Sequence, residues 1–140
     1  SQRKDLDSSS LNVSIHFLVD KEGNIFRLMP ENRMARHCVG LNHLAIGIEN
    51  VGGVGGKEDL TKAQLQANAK LIKHLKEKYS TIRYLIGHYE YLQFENTSLW
   101  KEKKSTIRTK KIDPGKIFMK DLRNSLKKYN FLPQQKGIKK

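Results

Sequence analysis

Cysteine is nearly absent from the 140-residue sequence. Its one instance, Cys38, excludes an intrachain disulfide and any multi-cysteine zinc finger. No apolar run approaches the roughly 18 residues that a membrane-crossing helix needs. The polar start, Ser1-Gln2-Arg3-Lys4-Asp5, carries neither an initiator Met nor a signal-peptide pattern, as expected of a piece excised from a longer chain. Internal repeats are lacking too. Acidic residues are scarce, 14 against 27 basic, for a net charge of +13. The imbalance is local, because residues 101–140 hold 14 Lys and Arg but only 3 Asp and Glu. A polyanionic partner would therefore meet the C-terminal stretch. With 37% hydrophobic residues the chain can form a core, and its length suits one domain.

Residues 1–10 read as a loop ending in Ser8-Ser9-Ser10. From Asn12 to Asp20, Val13, Ile15, Phe17 and Val19 alternate with Ser14, His16, Leu18 and Asp20, which predicts a strand with one buried face. Lys21-Glu22-Gly23-Asn24 predicts the turn of a hairpin, Ile25–Met29 its second strand, and Pro30 its end. Leu44–Ile48 reads as a central strand, followed by a glycine loop over residues 52–56. Thr61-Lys62-Ala63-Gln64 is a capping box opening a helix, whose apolar face runs through Leu65, Ala69, Ile72, Leu75 and Tyr79. Ile82–Ile86 reads as a further strand closing at Gly87-His88. Residues 89–112 show no sustained period. Asp113-Pro114-Gly115 opens a second helix with a stripe of Phe118, Leu122, Leu126 and Tyr129. The order β-β-β-α-β-α predicts an α/β fold: a central mixed sheet flanked by helices in one domain over 11–130, with a basic tail over 131–140.

Five histidines, His16, His37, His43, His74 and His88, make a metal site conceivable. His74 sits among Lys73 and Lys76 and reads as a solvated surface residue. His88, at the end of a predicted strand, stands where a sheet rim presents side chains. Glu49 follows an apolar strand. It is either a hydrated strand end or a partly desolvated carboxylate with a raised pKa, suited to act as a base. Asp113 by itself fits a helix N-cap.

Five segments in order then carry a family resemblance: Val13–Gly23, Ala35-Arg36-His37, Asn42–Glu49, Gly87-His88 and Lys110–Phe118. Together they resemble the zinc-dependent N-acetylmuramoyl-L-alanine amidases, the superfamily that includes peptidoglycan recognition proteins and phage lysozyme-type amidases. The resemblance covers about residues 11–128. It implies that His88 and Asp113 are zinc ligands, that Glu49 is the catalytic carboxylate, and that Lys111 stabilises the oxyanion. It implies substrate contacts for His37 and Asn42. Ile15 stands where the recognition-protein branch has a catalytic Tyr, so the chain follows the Glu branch. His16 matches a strand histidine that is not a ligand in relatives, which implies a place in the core or behind the ligands. His37 lies in a segment where Arg36 and Cys38 replace the family's Trp and Ala.

Two departures stand out. The family's first zinc-ligating histidine lies on a strand upstream of Val13, and nothing like it occurs in residues 1–12. The expectation is that this strand and its histidine precede Ser1 and that the 140 residues bind zinc poorly. The interval from His88 to Asp113 is long and holds Tyr89, Tyr91, Phe94 and Trp100, which reads as a substrate-facing loop. The implied chemistry is zinc-assisted hydrolysis of the amide between N-acetylmuramic acid and L-alanine, in peptidoglycan or muropeptides. Glu49 would serve as the base. The implied place is the bacterial cell envelope, periplasmic or secreted, with the cytoplasm also open. Two rival readings are a non-catalytic peptidoglycan-binding domain of the same fold and a basic nucleic-acid-binding domain. The second is disfavoured because Lys dominates and no arginine-rich reading helix is present, so no nucleic-acid partner is expected.

Overall fold

In the computed structural model, residues 14–38, 40–101 and 110–133 are described. Strand β1 (Phe17–Val19) lies at the centre of a three-stranded sheet, order β2-β1-β3. It pairs antiparallel with β2 (Ile25–Arg27), Leu18 opposite Phe26, and parallel with β3 (Ile48–Asn50), Leu18 opposite Glu49. The hairpin turn forms as predicted. Asp20 accepts the Glu22 and Asn24 amides at 3.0 and 2.8 Å, an Asx turn that needs only local sequence. The sheet is mixed and packed by helices, as the pattern implied.

Helix α1 (Lys62–Lys78) begins at the capping box. The Gln64 amide donates to Thr61 Oγ1 at 3.0 Å, and the Thr61 amide donates to Gln64 Oε1 at 2.8 Å. The Thr61 hydroxyl also donates to the Lys21 carbonyl at 2.6 Å, so one residue both caps the helix and docks it on the hairpin turn. The buried Gln64 amide group then donates to the carbonyls of Val19 and Val51 at 3.2 and 2.8 Å. Asn68 donates to Asn50 Oδ1 at 2.7 Å. These bonds seat α1 across the ends of β1 and β3. Leu71 and Leu75 pack on Phe17, and Ile72 meets Phe118, Met119, Leu122 and Leu126 of α2 (Lys116–Ser125) and its end. Each fully buried aliphatic side chain of this kind contributes roughly 1.5–3 kcal/mol.

Several boundaries differ from the sequence reading. The first strand starts at Phe17 rather than Asn12, and Val13 lies outside the described residues. The third strand is Ile48–Asn50, not Leu44–Ile48, so Glu49 sits inside it. Residues 82–86 join no strand of the sheet. Their pairing is a lone parallel bridge between Tyr84 and Leu132, reinforced by Leu85 N–H to Leu132 O at 2.8 Å and Leu132 N–H to Arg83 O at 2.7 Å. Leu132, assigned to the tail, thus pairs with the body, while 134–140 lie outside the described residues. His88 does not end a strand; it opens a 3₁₀ turn, His88–Phe94. Tyr91 and Phe94 of the supposed substrate-facing loop are buried, packed with Cys38 and Leu41. Residues 102–109 of that loop lie outside the described residues.

A cavity of about 610 Å³ opens between the β3 side (Ile46, Ile48, Asn50) and segment 81–86, and α1 and α2 line it further in. Glu49, His88 and Asp113 border it.

Candidate functional site

Three different elements bring the candidate groups together. Glu49 comes from β3, His88 from the first position of the 3₁₀ turn, and Asp113 from the bend before α2. The Tyr89 amide donates to the Asp113 carbonyl at 3.1 Å and holds the last two segments side by side. His88 Nδ1–H donates to Asp113 Oδ2 at 3.3 Å. Burial pushes the Asp113 carboxyl up, but the hydrogen bond and charge of His88, with help from Lys111, outweigh it and leave Asp113 below its ordinary value. Glu49 goes the other way. Burial raises its carboxyl, the Asp113 charge raises it further, and His88 only partly opposes. Two neighbouring carboxyls are therefore driven apart, one kept ionised and one made more basic, which is how acid–base roles are divided at a site.

His88 and Asp113 suit two ligands of one zinc ion. Metal–ligand bonds of about 2.0–2.2 Å at a tetrahedral angle put the two donor atoms roughly 3.3–3.6 Å apart. The observed 3.3 Å falls in that range. Among the described residues no third His, Cys, Asp or Glu joins them in a group able to hold a metal. His16 is not such a donor. It is 1% exposed, Nε2 lies 2.7 Å from the Arg33 carbonyl, and Nδ1 accepts the Gly47 amide at 3.0 Å. Both nitrogens are engaged and the tautomer is fixed.

His37 packs edge-on against His16, ring centroids 5.8 Å apart. Burial first, then the His16 and His88 charges, depress its pKa to about 4, so the ring is neutral at pH 7. Its Nε2 lies 3.3 Å from the Ala45 carbonyl. The Asn42 side-chain oxygen accepts the amides of His37 and Cys38 at 2.8 and 2.7 Å and so fixes the loop that carries His37. Lys111 is partly buried, and its charge acts on Asp113 and on Cys38. The Cys38 thiol is pushed up to about 12 by burial and by Asp113, so it stays protonated.

Sequence reasoning overlooked Glu90, a buried carboxylate two positions from His88. It accepts the Gly87 amide at 2.8 Å. The signal was present in the three-residue spacing from Gly87 to Glu90, the same spacing as the capping box at Thr61.

Comparison with known proteins bears on the family and the fold. The chain is 33% identical over 73 residues to the endolysin of Escherichia phage T7, and equally to that of Enterobacteria phage T3. Each match covers 49% of the chain and 48% of the relative, so the chain matches these curated relatives over about half their length. Among solved structures, the N-acetylmuramoyl-L-alanine amidase LysC from Clostridium intestinale URNW superimposes with a TM-score of 0.63. It is 24% identical, over 89% of this chain and 70% of that one, which is a likeness of fold. The N-acetylmuramoyl-L-alanine amidase family matches residues 1–116, most of the described body, and the chain belongs to that family.

Proposed function

We propose that the protein hydrolyses the amide bond between N-acetylmuramic acid and L-alanine in peptidoglycan or muropeptides. The observation that carries this reading is the meeting of His88 and Asp113 at 3.3 Å beside a carboxylate, Glu49, whose pKa is raised. Zinc held by His88, Asp113 and a third donor would supply a Lewis acid that polarises the scissile carbonyl. Glu49 accepts a proton from the attacking water as its oxygen bonds to the carbonyl carbon. It then returns that proton to the departing nitrogen as the C–N bond breaks. The Lys111 ammonium stabilises the negative charge that develops on the carbonyl oxygen, an effect of roughly 3–4 kcal/mol per donor in comparable sites. His37, neutral and half-buried, offers a hydrogen-bonding edge to the substrate, and Asn42 keeps it in place.

The third donor is assigned to a further strand N-terminal to the described residues. Support comes from the cavity beside β3, a strand with β1 as its single partner among the described residues, and from the absence of histidine in residues 1–12. Zinc content measured on the 140-residue chain and on an upstream-extended chain tests this. Full occupancy of the shorter chain would defeat it.

Release of new L-alanine amino termini from purified peptidoglycan, by the wild type and by Glu49→Ala, tests the reaction. Product from the wild type alone supports it. Binding to sacculi without any release would favour a non-catalytic peptidoglycan-binding domain of the same fold. With peptidoglycan as substrate the site of action is the bacterial cell envelope, and with released muropeptides the cytoplasm is open too. Among the described residues no helix is long and apolar enough to cross a membrane.

A further inference from the structure

We propose that Glu90 and Arg123 are a positioning pair that holds His88 in register with Asp113; the inference rests on the functional reading above for its consequence, though not for its geometry. His88 begins a seven-residue 3₁₀ turn, a conformation too poor in hydrogen-bond geometry to hold a side chain still by itself. Glu90 takes the Gly87 amide just before it at 2.8 Å. The same carboxylate receives two bonds from Arg123 of α2, at 2.5 Å to Oε1 and 3.1 Å to Oε2. Arg123 also donates to the Leu85 carbonyl at 2.7 Å. One guanidinium thereby grips the backbone on the near side of His88 and the side chain just past it.

Helix α2 starts three residues after Asp113, so Arg123 belongs to the element that carries Asp113. With the bond from Tyr89 to Asp113, the two donor-bearing segments are fastened at two separate points. The side chains of Glu90 and Arg123 are 10% and 11% exposed. Among the described residues Arg123 Nε is buried without a hydrogen-bond partner, so the pair adds little to stability. What the two-pronged contact adds is a fixed orientation. Groups that orient metal-binding side chains in this way typically change affinity or rate by about 10- to 100-fold when removed.

Amide hydrogen exchange on the full chain separates positioning from bulk stability. In Arg123→Met, the Gly87 and Tyr89 amides should exchange about a hundredfold faster, while those of Leu71, Ile72 and Leu75 in α1 stay within about threefold. In Glu90→Gln, which keeps the acceptor for Gly87, the Gly87 amide should stay protected while Tyr89 loosens. Turnover should fall about tenfold in Arg123→Met with little change in KM, and Arg123→Lys should restore part of it. Uniform acceleration of all amides, or unchanged exchange at Gly87 and Tyr89, would overturn the proposal. An inactive wild type with the exchange pattern intact would defeat the amidase reading and leave the positioning role standing.

Discussion

The two clusters of candidate donors in this molecule are built from similar residues and differ in what their lone pairs are doing. His16 and His37 pack edge to face, and three of their four ring nitrogens lie against backbone groups of Arg33, Gly47 and Ala45. His88 and Asp113 face each other at the cavity mouth and are half-exposed. His16 is scaffold, and the second cluster is available for chemistry. A histidine becomes a candidate ligand through an unspent nitrogen and an opening to substrate, and neither is a property of residue type.

The sharpest way to break this comparison is to remove one group from the open cluster. Glu49→Ala should reduce amide hydrolysis by about 10²- to 10⁴-fold, with thermal unfolding nearly unchanged because the carboxylate borders the cavity. Rate and melting temperature measured together check both halves. A large loss of stability would place Glu49 in the scaffold instead.

Acid should act on the closed cluster through His37. Its pKa of about 4 in the folded protein lies below the ordinary 6.5, so between those values the unfolded chain binds more protons. Stability is therefore full above pH 6.5 and declines as pH falls toward 4, by no more than about 3 kcal/mol. Urea unfolding at pH 7 and pH 4.5, in the wild type and in His37→Gln, isolates this contribution as the part of the slope that the substitution flattens.

Gly47 touches both histidines of the closed cluster. A Cβ there would stand 2.6 Å from His37 Cγ, and its amide is the donor that His16 accepts. Gly47→Ala should cost about 1–3 kcal/mol and displace the His37 ring. Denaturation midpoints, with His37 ring shifts by NMR, would reveal both effects.

The smallest effect is expected far from either cluster. Thr61→Ala removes the cap of α1 and the bond to Lys21 and should cost about 1 kcal/mol, leaving turnover unaltered. A marked fall in turnover would show that α1 is coupled to the open cluster through Gln64 and Asn68.

The features legible in the sequence are those decided within a few residues. The Thr61 cap and the stripe of α1 follow from local hydrogen bonding and a 3.6-residue period, and the Asp20 turn follows from one side chain and its neighbours. The start of α2 after Pro114-Gly115 is of the same kind. Position in the predicted elements brought Glu49, His88 and Asp113 to notice, family likeness added Lys111 and gave all four their roles, and they lie in one region. Tertiary structure decided the rest. The partner of Tyr84 is Leu132, forty-eight positions on, so no local pattern could tell the 82–86 segment from a sheet strand. Alternation put His16 opposite the buried face, yet contacts with Arg33 and Gly47 bury it completely. Glu90 finds Arg123 across thirty-three residues. Burial, lone-pair occupancy and pKa all depend on which distant groups arrive beside a side chain, and only the folded chain specifies that.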